Sequence, residues 1–176
     1  METNKLGDYL LNETIRKQAM KNISQEYPLN DEMLNKYRKE LDWEEVSDND
    51  NISWTVAMID RWENQLNWKV FSQTRNKTLL TAEIIEKFKD QWDWSELSGN
   101  QNLKLSFDLI DKYIDHWDWD RLINRWYDNE SNLYSWEFLH RYEQYIPVED
   151  FENSCLFDAL VLEETTAIQK RLVNAE

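Results

Sequence analysis

Two glycines and two prolines in 176 residues cannot supply a glycine-rich loop that cradles phosphate, and no run of either residue marks a flexible linker. Histidine is as scarce. His116 and His140 are the only two, neither lies in a metal-ligand spacing such as HExxH, and a helix surface accounts for both. The single cysteine, Cys155, cannot close an internal disulfide, which points to a reducing, cytoplasmic setting. No basic residue adjoins it and Leu156 and Phe157 follow, so it reads as a buried structural thiol rather than a nucleophile. No stretch reaches the roughly 18 consecutive apolar residues of a membrane span. The opening METNKLGDYLL has the character of neither a cleavable signal nor a basic transit peptide.

What the chain has in quantity is tryptophan, ten in all, and most of them recur at a fixed interval. Tyr37, Trp62, Phe88, Tyr113 and Tyr142 align as one aromatic column. Six residues later come Trp43, Trp68, Trp94 and Trp119, with Val148 in the last copy. Two residues before these stand Leu41, Leu66, Trp92, Trp117 and Ile146, and three after them Val46, Phe71, Leu97, Leu122 and Phe151. The interval of about 25 residues between tryptophans belongs to stacked supersecondary units.

Seven residues before each aromatic is a helix-capping type: Asn30, Thr55, Thr81, Ser106 and Ser135. The pairs Met33/Leu34, Met58/Ile59, Ile84/Ile85, Leu109/Ile110 and Phe138/Leu139 then complete an i, i+3, i+4 apolar face, which predicts a first helix in each unit. Asp42, Asn67, Asp93 and Asp118 precede the tryptophans as further caps. Glu45 and Glu96 stand three residues on, as in a capping box, so a second helix of about one and a half turns is expected, starting at the tryptophan and ending near Ser47, Ser72 or Ser98. Asp48-Asn49-Asp50-Asn51 and Gly99-Asn100 supply turn-tolerant joints after it.

These signals predict an all-α fold, an α-solenoid of about five helix-pair repeats with N- and C-terminal capping helices, forming one compact domain. Residues 1–28 lie outside the repeat and read as one or two capping helices stopped by Pro28. The repeats span 29–50, 51–76, 77–101, 102–128 and 129–151, and 152–176 closes the array, with helical spacing over 154–173. In the fifth repeat Pro147-Val148 replaces Asp-Trp, so its second helix is expected to be altered. The signature WDWSELSGNQNLKLSFDLIDKYIDHWDWDRL resembles tandem tryptophan-rich WDWxxLS repeats of largely uncharacterised bacterial, phage and giant-virus proteins. The resemblance covers 29–151, implies stacked helices, and carries no catalytic residues. The first two repeats depart from it, with Leu41 and Leu66 where the fuller copies have Trp92 and Trp117.

Charge points outward. The net charge is −15, which repels phosphate backbones and disfavours direct nucleic-acid binding. Over 29–50 eight acidic residues face three basic ones, whereas 51–76 carries two against three. A solvated, solubilising surface is the plain reading of such acidity. The functional one is that Glu44, Glu45, Asp48 and Asp50 meet a basic protein surface, as a nucleic-acid mimic would. Most tryptophans belong to the core columns. Trp54, Trp126 and Trp136 do not, and Trp126 with Tyr127, in a long joint, are the candidates for an exposed aromatic contact. With no nucleophile, base or metal constellation, no catalytic residue and no cofactor are expected. The reading is a non-enzymatic protein-binding module, sharpened to a small phage- or mobile-element-type inhibitor of a nuclease or host defence protein. A structural or assembly role is the alternative, and an enzyme of unrecognised type stands behind both.

Overall fold

The computed structural model of the protein describes residues 5–125 and 133–173, and every element in them is an α-helix. In order these are α1 (Lys5–Glu26), α2 (Asp31–Tyr37), α3 (Trp43–Asp48), α4 (Val56–Trp62), α5 (Trp68–Phe71), α6 (Ala82–Lys87), α7 (Trp94–Gly99), α8 (Phe107–Lys112), α9 (Trp119–Ile123), α10 (Trp136–Tyr142), α11 (Val148–Phe151) and α12 (Cys155–Val173). Only α1 and α12 exceed two turns. Helices as short as the rest are marginal alone and depend on caps and packing.

The caps stand where the sequence places them. Asn30, Thr55, Thr81, Ser106 and Ser135 are extended and accept from the N–H three residues on. Asp42, Asn67, Asp93 and Asp118 do the same for α3, α5, α7 and α9. The glutamates of the expected capping box are turned elsewhere. Glu45 pairs with Lys21 at 3.0 Å and Glu96 with Arg121 at 2.7 Å, each about 25 residues away in the chain. Gly99 differs too. It lies inside α7 with no left-handed backbone, and the turn that follows is closed by Asn100, whose Oδ1 accepts from Asn102 N–H at 2.8 Å. Asn49 closes the matching turn on Asn51 at 2.9 Å.

The chain divides into two compact halves, Met1–Trp92 and Asp93–Glu176. In the first, α1 packs on α3 and α3 on α5, around Leu34, Val46, Ile52, Ile59 and Phe71, each 1% exposed or less. The N-terminal segment is thus one long helix rather than two. In the second half α7 packs on α9, and Ile110, Leu122, Phe138, Tyr142 and Leu156 form the core. The fifth repeat shifts its register by one. Phe138 takes the fully buried place that Ile59, Ile85 and Ile110 hold elsewhere, because its ring meets both Tyr134 and Tyr142 edge-on. Pro147 offers α11 no side-chain cap, and Val148, at the tryptophan position, is 86% exposed.

Buried serines tie alternate helices together, α1 to α3, α3 to α5 and α7 to α9. Ser47 Oγ donates to Trp43 O (2.6 Å) and accepts from Asn67 N–H (2.9 Å). Ser98 Oγ donates to Trp94 O (2.6 Å) and accepts from Asp118 N–H (3.0 Å). Ser24, in α1, does the same between Met20 O and Asp42 N–H. The hydroxyl's donor and acceptor capacity are both used, as a buried polar group requires.

Candidate interaction surface

The densest acidic run folds as α3 and the turn after it. Asp42 is consumed as a cap, accepting from the N–H of Glu44 and Glu45. Glu45 is half-buried and holds Lys21, and that hydrogen bond is the first cause of the upward displacement of the lysine's pKa. Asp50 accepts from Thr74 Oγ1 (3.4 Å) and Arg75 N–H (3.2 Å), so it braces the next joint. Glu44 and Asp48 remain exposed, with no cation within 4 Å among the described residues. Partial burial, then the charge of Asp50, lifts the Asp48 carboxyl above the usual carboxylate range against the pull of Arg75. The smaller contribution, from the charge of Asp50, is the one that an incoming cation would relieve. Of the four carboxylates that sequence reasoning grouped, two hold the fold and two face outward unpaired.

The aromatic columns meet in pairs inside each half. Trp43 lies 5.2 Å from Trp62 and Trp68 lies 5.6 Å from Phe88 in the first. Trp94 is 4.8 Å from Tyr113 and Trp119 is 5.2 Å from Tyr142 in the second. Each second-helix tryptophan therefore covers the closing aromatic of the following repeat. These tryptophans are less enclosed than a core column should be: Trp43, Trp68 and Trp94 are only half-buried, and Trp119 alone is buried. The column two residues earlier is the sealed one, with Leu41, Leu66, Trp92, Trp117 and Ile146 all at 4–7% exposure. Side-chain direction explains the exchange. The cap residue sits between the two positions, and the tryptophan that opens each short helix keeps one ring edge at the surface while its Nε1 donates to Arg38 O or Glu63 O.

Trp126 and Tyr127 lie outside the described residues. Trp54 is buried, edge-on to Phe71 at 5.6 Å. Trp136, which sequence reasoning left aside, is 42% exposed at the start of α10, with His140 beside it. Trp136 opens α10 directly after its cap and belongs to none of the aromatic columns, and that was the available signal. Arg125 was also missed. It stands where Asn49 and Asn100 close the turn in the first and third repeats, is 8% exposed, donates from its guanidinium to Leu103 O and from its backbone N–H to the Tyr134 hydroxyl oxygen. Its Nη1 has no hydrogen-bond partner.

The groups weighed for chemistry are dispersed. Cys155 is half-buried, its Sγ lies 3.6 Å from Asn124 O, and burial pushes the thiol's pKa up, away from the reactive thiolate. His116 is exposed against the rings of Trp94 and Tyr113. No group of three or more His, Cys, Asp or Glu among the described residues is arranged to hold a metal ion, and none of the described helices is long and apolar enough to cross a membrane. No family model, curated protein or solved structure matches the chain.

Proposed function

We propose that the protein is a non-catalytic binding module, an α-solenoid of five helix-pair repeats between capping helices, whose acidic surface engages a basic protein surface. The observation that carries this is the pair Glu44 and Asp48, exposed and unmatched on one short helix of a chain with net charge −15. Repeat arrays offer extended surfaces for such contacts, and aligned carboxylates present what a phosphate backbone presents. The partner class is a nuclease or other nucleic-acid-handling protein, such as a host defence effector, whose cleft the acidic face would occupy. The second reading, an assembly subunit, draws support from the exposed apolar residues of α12.

The test uses a partner captured from the native host. Glu44→Lys with Asp48→Lys should slow association about tenfold and steepen no other loss, since neither residue braces the fold, and the parent complex should weaken with salt as exposed charges are screened over about 8 Å. Glu45 and Asp50 are left intact because they hold α1 and the next joint. Surface plasmon resonance across a salt series reads both effects. An association rate indifferent to salt and to the reversals would sink the acidic-surface reading, and Trp136 would be the next residue to change.

A further inference from the structure

The last helix buries only its first turns. Leu156, Ala159 and Leu160 of α12 are enclosed, but no residue from Val161 to Val173 is. Val161, Thr165, Ile168 and Leu172 recur at i, i+4, i+7 and i+11, which places them in one narrow stripe along the helix. The apolar members are 48%, 45% and 65% exposed, and Leu162 and Val173, at 52% and 73%, widen the patch on one side. Glu164 and Arg171 line its other edge. They are two turns apart and joined at 3.3 Å, with side chains 47% and 71% exposed.

That edge decides what fits. We propose that a second copy of this chain docks here, α12 against α12, antiparallel about a two-fold axis. Antiparallel pairing sets Val161 opposite the second copy's Leu172 and Thr165 opposite its Ile168. The same register brings Glu164 to the second copy's Arg171, and symmetry repeats the pair, so two ion pairs within chains become two between them. A parallel two-fold pairing would place the two charged edges on opposite sides of the interface, where Glu164 and Arg171 of different copies could not meet. The surface is self-complementary, as a two-fold interface must be. The location also answers the charge problem. Two bodies of −15 repel, yet α12 carries three acidic and two basic residues, so the copies meet where their repulsion is least. One helix face is a small interface of the transient class, below about 1,200 Å².

Sedimentation equilibrium of the full chain, at physiological ionic strength and up to millimolar concentration, tests this. A concentration-dependent dimer is expected. Ile168→Lys should abolish it while circular dichroism and the melting temperature stay at the parent's values. Glu164→Arg and Arg171→Glu should each weaken self-association about tenfold by opposing like charges. An equimolar mixture of those two variants should dimerise again, as should the double exchange within one chain. A parent that stays monomeric, a dimer indifferent to Ile168→Lys, or a mixture that remains monomeric would overturn the proposal. A different protein that loses binding to Ile168→Lys while the parent remains monomeric would overturn it equally.

Discussion

A hydroxyl that both donates and accepts inside a core is costly to lose, because its removal strands the backbone N–H that it holds. Ser98→Ala should therefore cost about 1–3 kcal/mol, a loss that urea unfolding would resolve, and it should do so with almost no change in buried volume. Asp111 makes a second prediction at this scale. The Arg141 guanidinium is the first cause that holds its carboxyl below the usual range, with the Tyr142 hydroxyl, donating at 2.8 Å, also contributing. Since the folded pKa is the lower one, the stabilisation is complete above the unfolded value of about 4 and disappears as pH falls through the folded value. Asp111→Asn should start less stable at neutral pH and lose less between about pH 4 and pH 2; melting curves across that range check it. Asp48 runs the other way, its raised carboxyl being relieved by protonation. That Ser47 and Ser98 stand near the ends of short second helices was legible in the sequence. Their inter-helix bonds were not, because local spacing does not say which distant N–H comes to meet a hydroxyl.

Short helices are placed by their ends, and the ends could be read from the sequence. Nine side-chain caps, from Asn30 to Ser135, accept from the backbone as their positions imply. What spacing alone could not rank was depth. The tryptophans that open α3, α5 and α7 sit in an apolar column yet keep an edge in solvent, while the column two residues earlier closes the core. Two tryptophans of that sealed column differ in one respect. Trp117 Nε1 donates to Ile110 O at 3.1 Å, but Trp92 Nε1 is buried with no partner. Replacing each by leucine, the residue already present at 41 and 66, removes a satisfied donor in one case and an unsatisfied one in the other. Trp117→Leu should be the more destabilising by about 1–3 kcal/mol in chemical denaturation. Equal losses would mean that ring area outweighs the indole N–H. The fifth repeat resisted reading for a related reason, since the Phe138 ring is larger than the isoleucines it replaces and draws the register towards Tyr134 and Tyr142.

Across the whole molecule, the imbalance of charge was legible from composition, but its division of labour was not. Glu45 and Asp50 look like their neighbours in sequence, and only folding brings Lys21 and Thr74 to them. Trp126 and Tyr127, the aromatic half of the expected contact surface, fall outside the described residues, within which Tyr27 and Trp136 are exposed rings. The serine bonds carry a consequence for how the molecule opens. Amides that precede a helix ordinarily face water and exchange their hydrogen within moments, but those of Asp42, Asn67 and Asp118 are each held by a serine hydroxyl from the helix two back along the chain. Their exchange should be slow, and it should report the parting of two particular helices rather than global unfolding. Three single amide signals in a deuterium-exchange spectrum would then time the parting of these three helix pairs one by one, and protection at Asp118 alone should vanish in Ser98→Ala.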